Sequence, residues 1–271
     1  MAQLPLQQKY ENLLSELKNL GSLAVAFSSG VDSAFLLYAA KQALGDKVLA
    51  ITAVSPVFPA REHTEAIELC KGHGITHVFY TLDSLDKEHF RNNPPDRCYH
   101  CKKDLFSGLK SLAKENGYDH WAEGSNMDDL GDYRPGMKAV EELHVLSPLQ
   151  DAGLYKSEIR ELSKQFDLPT WDKPSFACLA SRFAYGETIS ENKLRMVESA
   201  EQYLMDLGLK QCRVRIHGDM ARIEVLPEDI SFLASDSIRI PLIEHMKGLG
   251  FKYTSLDLQG YRTGSMNEAL K

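Results

Sequence analysis

A buried strand that breaks into a small polar turn and then a helix constrains this chain more than any other feature. The apolar run at residues 23–27 (LAVAF) is typical of a strand covered on both faces, as in a parallel sheet. The turn at residues 28–33 (SSGVDS) follows, and apolar residues then recur at helical spacing as far as Leu44. Because such a turn aims backbone N–H groups and a helix N-terminus at one spot, the sequence predicts a phosphate-binding loop.

Four residues of this turn are the predicted nucleotide ligands. The hydroxyls of Ser28 and Ser33 supply donors, and Gly30 lets the backbone approach an anion without an obstructing Cβ. Asp32 adds a carboxylate, which makes sense when Mg²⁺ accompanies the phosphates. The Walker-A lysine spacing is absent, which excludes the kinase and GTPase type of loop. The alternative is a generic strand-to-helix turn, for which Ser, Gly and Asp are common.

Alternating strand and helix patterns predict an α/β protein with a doubly wound parallel sheet. Apolar strand runs, such as residues 48–54, are separated by segments with helical periodicity. Ligands of such sheets bind outside the carboxyl ends of the strands, which brings Ser55 to the same edge as the polar turn. Beyond Gly186 a helix, a hairpin, a helix and a strand predict a smaller α+β unit. We therefore expect a nucleotide-binding domain at residues 1–186 and an α+β domain at residues 187–271.

Composition narrows the class of protein further. The chain has 271 residues, of which 43% are hydrophobic and 25% charged, enough for two globular domains. Its net charge of −7 argues against broad nucleic-acid binding, which uses a basic face. No apolar run approaches the roughly 20 residues of a membrane span, and no secretory signal opens the sequence. Five cysteines without a disulfide framework favour a reducing, cytoplasmic location.

Three of the five cysteines lie in two predicted loops. The polar stretch at residues 83–102 predicts a long loop that carries Cys98 and Cys101 at its end, just before a helix. Cys178 lies in a second loop, far along the chain. The other two cysteines have apolar neighbours and are predicted packing residues: Cys70 and Cys212.

These residues leave several uses of the thiols open. A helix N-terminus and the adjacent Lys102 favour the thiolate form of the pair. Structural zinc needs four ligands, and the candidate His100 lies awkwardly between the two cysteines. A redox pair leaves Cys178 without a role, whereas three thiolates can hold an iron–sulfur cluster with one iron open. Absence of any metal is the remaining alternative.

The motifs, taken in order along the whole chain, resemble a known family. The turn at residues 28–33 resembles the SGGxDS pyrophosphate loop of ATP pyrophosphatases, with Ser29 standing where that pattern has its first glycine. Further segments extend the resemblance to the LarE-type ATP-dependent sulfur transferases: residues 123–129 (EGSNMDD), 132–136 (DYRPG), 178–186 (CLASRFAYG) and 213–215 (RVR). That family makes the nickel-pincer nucleotide cofactor of lactate racemase.

The resemblance implies a fold of the ATP-pyrophosphatase type and a two-step reaction. ATP, with Mg²⁺, would adenylate a carboxylate of a pyridinium dicarboxylate mononucleotide and release pyrophosphate. Sulfur would then displace AMP and give a thiocarboxylate. The order makes chemical sense because a carboxylate is a poor electrophile until it carries a good leaving group. The implied partners are this nucleotide-like substrate and a sulfide donor.

The resemblance also implies roles for individual residues. Gly124 joins the nucleotide ligands, and the implied catalytic set is Cys98, Cys101, Cys178, Lys102, Arg182 and Glu201. Arg213 and Arg215 alternate onto one face of a predicted strand and would bind the substrate phosphate, the alternative being a solvated strand face. Arg134 is a weaker match, since Tyr-Arg-Pro-Gly is also an ordinary turn.

One departure from the family pattern concerns the source of sulfur. Some members sacrifice a single cysteine in the loop before Ser-Arg-Phe, and alignment puts that position at Ala177, one residue before Cys178. This chain instead resembles a three-cysteine subgroup, in which Cys98, Cys101 and Cys178 hold a [4Fe-4S] cluster carrying an additional sulfide. Family members form trimers or hexamers through the C-terminal domain, which makes Glu224 a candidate ligand for a metal at a subunit junction.

Other functions stay open on the sequence alone. A tRNA-thiolating enzyme pairs the same loop with three cysteines, although the charge of −7 without a basic stripe argues against it. An ATP-dependent amidating ligase would leave the cysteines incidental or bound to zinc. A nucleotide sensor would use the fold without catalysis. We expect the sulfur transferase, a homo-oligomer without a membrane or nucleic-acid partner.

Overall fold

The chain is divided between two units that are interleaved in sequence. The computed structural model describes residues 4–131, 136–174, 177–262 and 264–266. The first unit comprises Met1–Ser55, Ala60–Leu82 and Cys98–Ser175, and the second comprises Pro56–Pro59, Asp83–Arg97 and Phe176–Lys271. Each unit has its own sheet.

Helices and strands alternate along much of the chain, as the apolar periodicity predicts. In order they are α1 (Leu6–Leu20), β1 (Leu23–Ala26), α2 (Val31–Leu44), β2 (Val48–Val54), α3 (Ala60–Gly72), β3 (Thr76–Thr81), α4 (Glu88–Arg91), α5 (Arg97–Glu115), β4 (Trp121–Ala122), α6 (Met137–Glu142), α7 (Pro148–Asp151), α8 (Lys156–Gln165), α9 (Glu191–Asp206), β5 (Cys212–His217), β6 (Met220–Val225), α10 (Ile230–Ala234), α11 (Asp236–Leu249) and β7 (Tyr253–Leu256). Among the described residues, no helix combines the length and the apolar character needed to cross a bilayer.

The first unit is built on a parallel sheet with the strand order β3-β2-β1-β4. Alternate residues of β1 enter opposite cores: Leu23 and Val25 pack in the cluster that contains α1 and α2, and Ala24 packs in the cluster that contains α5. Helices therefore cover both faces, which confirms the predicted doubly wound α/β sheet. The turn after β1 and Ser55 after β2 follow the carboxyl ends of neighbouring strands, where ligands of such sheets bind.

The second unit contains the smaller sheet, in the order β5-β6-β7. β5 and β6 form an antiparallel hairpin, and β7 pairs with β6 in parallel. Gly218 in the hairpin turn has a φ of 61°, a left-handed value that glycine adopts without a steric penalty. Helix α9 packs against β5. The predicted α+β arrangement of helix, hairpin, helix and strand is present.

The prediction that residues 83–102 form one long loop is wrong, because two helices include parts of this stretch. Helix α4 lies within it, and α5 begins at Arg97, so Cys98 and Cys101 lie inside the first turns of a helix and not ahead of one. Asp96 directly precedes α5, and aspartate is among the residues that are preferred just before a helix start. Polar residues in this helix start hide the periodicity from which a helix is normally predicted.

The segment that precedes α5 belongs to the second unit by its contacts. Arg97 donates from Nη1 to the Ala180 carbonyl at 2.8 Å and to Asn93 Oδ1 at 2.7 Å. Asn93 Nδ2 donates to the Ala184 carbonyl at 2.7 Å. Packing thus joins this early segment to a much later one, and the division of the chain by function at residue 186 stays a prediction.

Candidate functional site

The turn after β1 forms a small cradle of hydroxyl groups. Ser33 Oγ accepts a hydrogen bond from the Ser28 N–H at 3.2 Å and lies 3.1 Å from Ser28 Oγ. A Cβ built on Gly30 would stand 3.4 Å from Ser28 Oγ and 4.0 Å from Ser33 Oγ. A side chain at Gly30 would therefore project toward the two hydroxyls, next to the N-terminus of α2. The arrangement suits an anion such as phosphate.

Ser29 holds the position that is glycine in the SGGxDS pattern, and it adopts the conformation that glycine favours. Its φ is 57°, in the left-handed region that most residues avoid. Its Oγ donates to the Glu62 carbonyl at 2.8 Å, and its own carbonyl accepts from Lys173 Nζ at 2.9 Å. Lys173 is also ion-paired with Glu65 of α3. The turn therefore keeps its shape without the glycine.

Gly124 and Ser55 lie after the strands that flank β1. A Cβ on Gly124 would come within 2.9 Å of the Ser33 backbone nitrogen, so only glycine fits this close to the start of α2. Ser55 is buried, and its hydroxyl has no hydrogen-bond partner among the described residues. A buried hydroxyl without a partner at the ligand-binding edge suits contact with a polar ligand.

Asp32, in the first turn of α2, is already paired with a cation. Lys156 Nζ, at the start of α8, forms an ion pair with Asp32 Oδ2, and Asn126 Nδ2 donates to Asp32 Oδ1 at 3.2 Å. The Asp32 side chain is 20% exposed. A carboxylate oxygen is a ligand type that Mg²⁺ prefers, so the residue fits a nucleotide-bound Mg²⁺ by its chemistry. Its charge, however, is balanced by Lys156.

The first turns of α5 present the two neighbouring thiols. The spacing of three residues places Cys98 and Cys101 on one face, with Cys98 exposed and Cys101 half-buried. Lys102 packs its aliphatic chain against Gly136, where a Cβ would come within 2.5 Å of Lys102 Cδ. Two thiols on one helix face suit part of an iron–sulfur ligand set. Within each unit, the described residues contain no group of three His, Cys, Asp or Glu side chains arranged as a metal site.

The second unit buries an arginine–glutamate pair beside Cys178. Arg182 Nε and Nη2 donate to the two carboxylate oxygens of Glu201 at 2.9 and 2.8 Å. Arg182 Nη1 also donates to the carbonyls of Ala177 and Cys178, so the guanidinium holds the backbone that carries this thiol. Neither side chain of the pair is more than 1% exposed.

The charge states of this buried pair follow from their mutual attraction. Burial alone would raise the pKa of Glu201, but attraction and hydrogen bonds from Arg182, with Arg213 and the Val214 N–H, lower the pKa below its ordinary value. Burial opposes the charged form of Arg182 as well, yet Glu201 keeps the pKa of Arg182 raised. Both groups are therefore ionised at neutral pH, and the pair is charge-assisted.

Arg213 and Arg215 are buried on β5, so the alternative of a solvated strand face is wrong. Arg215 Nε and Nη2 donate to Glu224 at 3.0 and 2.8 Å, and its Nη1 donates to the Ser181 carbonyl at 3.0 Å. Arg213 lies over the Tyr261 ring at 5.2 Å from its centroid. Burial, and to a lesser degree repulsion from Arg182, lowers the pKa of Arg213.

Glu224 does not fit the predicted role of a metal ligand at a subunit junction. Its side chain is fully buried, and its oxygens accept from Arg215, from Arg222 at 2.9 Å and from the Ser265 hydroxyl at 3.0 Å. Two guanidiniums already balance and occupy this carboxylate. Glu224 is better described as the group that orients Arg215.

The structure sorts the predicted site residues into two sets. The first unit holds Ser28, Gly30, Asp32, Ser33, Ser55, Gly124, Cys98, Cys101 and Lys102. The second unit brings together Cys178, Arg182, Glu201, Arg213 and Arg215. Arg134 lies outside the described residues.

Sequence reasoning missed the cations that hold these loops. Lys156, Lys173 and Arg97 each contact a site segment that is distant along the chain, so no local spacing marks them. Asn126 did have a signal, because it stands in the EGSN motif that carries the family resemblance. Its side chain donates to Asp32, which explains why this motif accompanies the polar turn after β1.

A doubly wound parallel sheet with a Ser-x-Gly-x-Asp-Ser cradle after its first strand defines an α/β protein of the pyrophosphate-loop class. No protein-family model matches the chain. It is 38% identical over 266 residues to the pyridinium-3,5-bisthiocarboxylic acid mononucleotide synthase of Lactiplantibacillus plantarum, covering 98% of this chain and 96% of that protein. The chain therefore belongs to the family of this synthase, the LarE family.

Two further relatives are similar along nearly their whole length. An uncharacterized protein of Synechocystis is 40% identical over 98% of this chain and 99% of its own length. An uncharacterized protein of Methanocaldococcus jannaschii is 30% identical over 94% of this chain and 96% of its own length. These matches extend through both units, as the ordered motifs do.

Proposed function

We propose that this chain is an ATP-dependent sulfur transferase that converts a carboxylate of pyridinium-3,5-dicarboxylic acid mononucleotide into a thiocarboxylate for the nickel-pincer nucleotide. The observation that carries the proposal is the nearly full-length match to a relative named for the bisthiocarboxylic acid product. Replacing a carboxylate oxygen by sulfur requires that the acid be activated first. The hydroxyl cradle beside the N-terminus of α2 supports ATP as the activating reagent.

In the activation step, a carboxylate oxygen of the substrate attacks the α-phosphorus of ATP, and pyrophosphate leaves. The N-terminus of α2 and the hydroxyls of Ser28 and Ser33 bind that leaving group and stabilise its developing charge. Asp32 is the residue that would hold the Mg²⁺ of the nucleotide, which supplies further charge stabilisation when bound. Gly124 keeps the floor of the cradle clear of side chains.

The buried arginines of the second unit favour an anionic substrate. The cluster contains four guanidiniums and three carboxylates, which leaves a net charge of 4 − 3 = +1: Arg182, Arg213, Arg215 and Arg222 with Glu201, Glu224 and Asp257. We assign contact with the substrate phosphate to Arg213 and Arg215, whose guanidiniums also donate to the Cys212 and Ser181 carbonyls.

In the second step, a sulfur nucleophile attacks the acyl-adenylate carbonyl, and AMP leaves with the bonding electron pair. We assign Cys98, Cys101 and Cys178 as ligands of a [4Fe-4S] cluster, which supplies bound sulfide when present. Arg182 fixes the carbonyls of Ala177 and Cys178 and so orients the thiol, and Glu201 fixes Arg182. Both are positioning residues. Lys102, next to Cys101, is the cation available to the anionic reactants at α5.

The assay combines the dicarboxylate mononucleotide, MgATP and sulfide with anaerobically purified protein. We expect AMP, pyrophosphate and a product heavier by the exchange of one oxygen for sulfur. Asp32→Asn should lower kcat/KM for AMP formation by about 100-fold or more, because the nucleotide loses its metal-binding carboxylate. Asp46→Asn, a fully exposed carboxylate paired with Lys41, is the matched control and should behave as wild type. AMP formation without a sulfur-containing product would contradict the proposed function.

A further inference from the structure

Asp32 is the acidic group of the nucleotide cradle, yet it does not stand as an open metal ligand. The ion pair with Lys156 takes one of its oxygens, and the Asn126 amide takes the other. Neither side chain of the ion pair is fully exposed, with 28% for Lys156 and 20% for Asp32. Partial burial weakens solvent screening, so the pair competes effectively with a cation from solution.

The backbone of Lys156 is held in place independently of its ion-paired side chain. It is the first residue of α8, and its N–H donates to Asp128 Oδ2 at 2.7 Å. The N-cap of the same helix is closed by a hydrogen bond from the Tyr155 N–H to Glu158 at 2.9 Å. The ammonium group therefore sits on a flexible stem with a fixed base, and it can change partners without moving the helix.

The other carboxylates nearby are held by partners that a ligand would not replace. Glu123 Oε1 accepts from the Ser125 N–H at 3.0 Å and from the Ser147 hydroxyl at 2.9 Å. Asp129 Oδ2 accepts from the Asn126 N–H at 2.9 Å. Asp32 differs because one of its partners is the ammonium group of a lysine side chain. The phosphate oxygens of a nucleotide would offer this ammonium group another anionic partner.

We propose that Lys156 is a positioning residue that serves as the built-in counter-ion of Asp32, so that a divalent cation reaches Asp32 only together with a nucleotide. In the free protein Lys156 keeps the metal position closed. When a nucleotide enters, Lys156 moves to its phosphate oxygens and leaves Asp32 to the accompanying metal. This inference extends the proposed function, since it takes ATP as the nucleotide.

The test measures Mn²⁺ binding by electron paramagnetic resonance, without nucleotide and then with ATP. Without nucleotide, Lys156→Met should bind Mn²⁺ about 10- to 100-fold more tightly than wild type, the range typical of changes in groups that partner a metal ligand. With ATP the order should reverse, because the phosphates lose Lys156. Lys164→Met, on the same helix and exposed over Trp171, is the matched control and should resemble wild type in both conditions.

Two further variants keep the result unambiguous. Lys156→Arg retains the charge and should bind Mn²⁺ as weakly as wild type without nucleotide. Adding Asp32→Asn to Lys156→Met should abolish the gain in affinity. The inference is overturned when wild type and Lys156→Met bind free Mn²⁺ alike, or when the double variant keeps the tight site. Failure of the proposed function would be seen separately, as absent sulfur transfer, whatever the Mn²⁺ results.

Discussion

Ser29 shows how one hydroxyl can maintain a backbone conformation that usually requires glycine. A left-handed φ costs a residue with a Cβ about 1 kcal/mol or somewhat more. The hydrogen bond from Ser29 Oγ to the Glu62 carbonyl returns about 1 kcal/mol. The two effects nearly cancel, so serine is acceptable here although it departs from the family pattern.

This balance predicts that two small substitutions at Ser29 differ in their effect on the free energy of unfolding. Ser29→Gly removes the strain and the hydrogen bond together and should leave the free energy of unfolding within about 0.5 kcal/mol of wild type. Ser29→Ala keeps the strain and loses the bond, so it should destabilise by about 1 kcal/mol. Urea unfolding of both variants measures the difference. Equal stability of the alanine and glycine variants would contradict this account.

The buried Glu201 makes a testable contribution to stability at acid pH. Burial acts to raise its pKa in the folded protein, but attraction and hydrogen bonds from Arg182, with Arg213 and the Val214 N–H, together hold this pKa below the ordinary value of 4.5. A lowered folded pKa means that its stabilising contribution is present above about pH 4.5 and is lost as pH falls through the folded pKa. Acid should therefore weaken the protein partly through this residue.

We expect Glu201→Gln to lower the free energy of unfolding at pH 7 by about 3 kcal/mol, because it leaves Arg182 buried without a counter-charge. The fall in the free energy of unfolding below about pH 4.5 should also become less steep, since one titrating group is gone. Urea unfolding at a series of pH values measures both effects. Glu191→Gln on the same helix, an exposed pair with Arg195, should change stability by at most about 1 kcal/mol. If the free energy of unfolding of Glu201→Gln falls with acid as steeply as that of wild type, Glu201 does not have a lowered pKa in the folded protein.

Helix α5 carries the clearest functional prediction for a single element. Cys98→Ser and Cys101→Ser alter exposed or half-buried positions in its first turns, so the fold should survive while the thiols that we propose as iron ligands are lost. Each of these two variants, and Cys178→Ser as a third single variant, should reduce the content of iron and acid-labile sulfide and stop sulfur transfer. Each should leave AMP formation intact. Iron analysis and the AMP assay measure these outcomes.

Cys70→Ala is the matched control for the cysteine series. Cys70 is buried in the core of the first unit, and burial raises the pKa of its thiol to about 12, so it offers no thiolate near neutral pH. The iron content of the Cys70→Ala variant should equal that of wild type. A cysteine variant with full multiple-turnover sulfur transfer would remove that residue from the mechanism. Loss of sulfur from Cys178 during turnover, seen by mass spectrometry, would indicate a sacrificial cysteine instead.

Elements with strong periodicity could be predicted from the sequence, whereas their partners could not. The sequence predicts β2 with its observed bounds, Val48–Val54, because a mostly buried strand is a nearly continuous apolar run. The start of α5 was missed because its polar first turns carry no such pattern. The Lys156–Asp32 pair joins residues 124 positions apart, and nothing local to either residue reveals it. The reactive side chains of the loops can be predicted from the sequence, but the lysines and arginines that pair with these loops cannot.

The charge of the whole molecule separates the favoured substrate class from transfer RNA. With a net charge of −7, the chain lacks the excess of lysine and arginine that phosphate backbones require. We expect no retention of tRNA in a filter-binding assay at about 0.15 M salt, and only weak retention at lower salt. Tight, salt-resistant tRNA binding would favour the thiolation of RNA over that of a mononucleotide.

Because the segments of the two units alternate along the chain, the order of synthesis on the ribosome limits when the second unit can fold. Asn93 and Arg97 emerge long before the carbonyls that they bind, and Arg97 precedes Ala180 by 83 residues. At a synthesis rate of about 5–20 residues per second, that separation corresponds to a wait of about 4 to 17 seconds. During this interval the side-chain donors of Asn93 and Arg97 lack these acceptors, so this part of the second unit can form only after residues 180–184 have been translated.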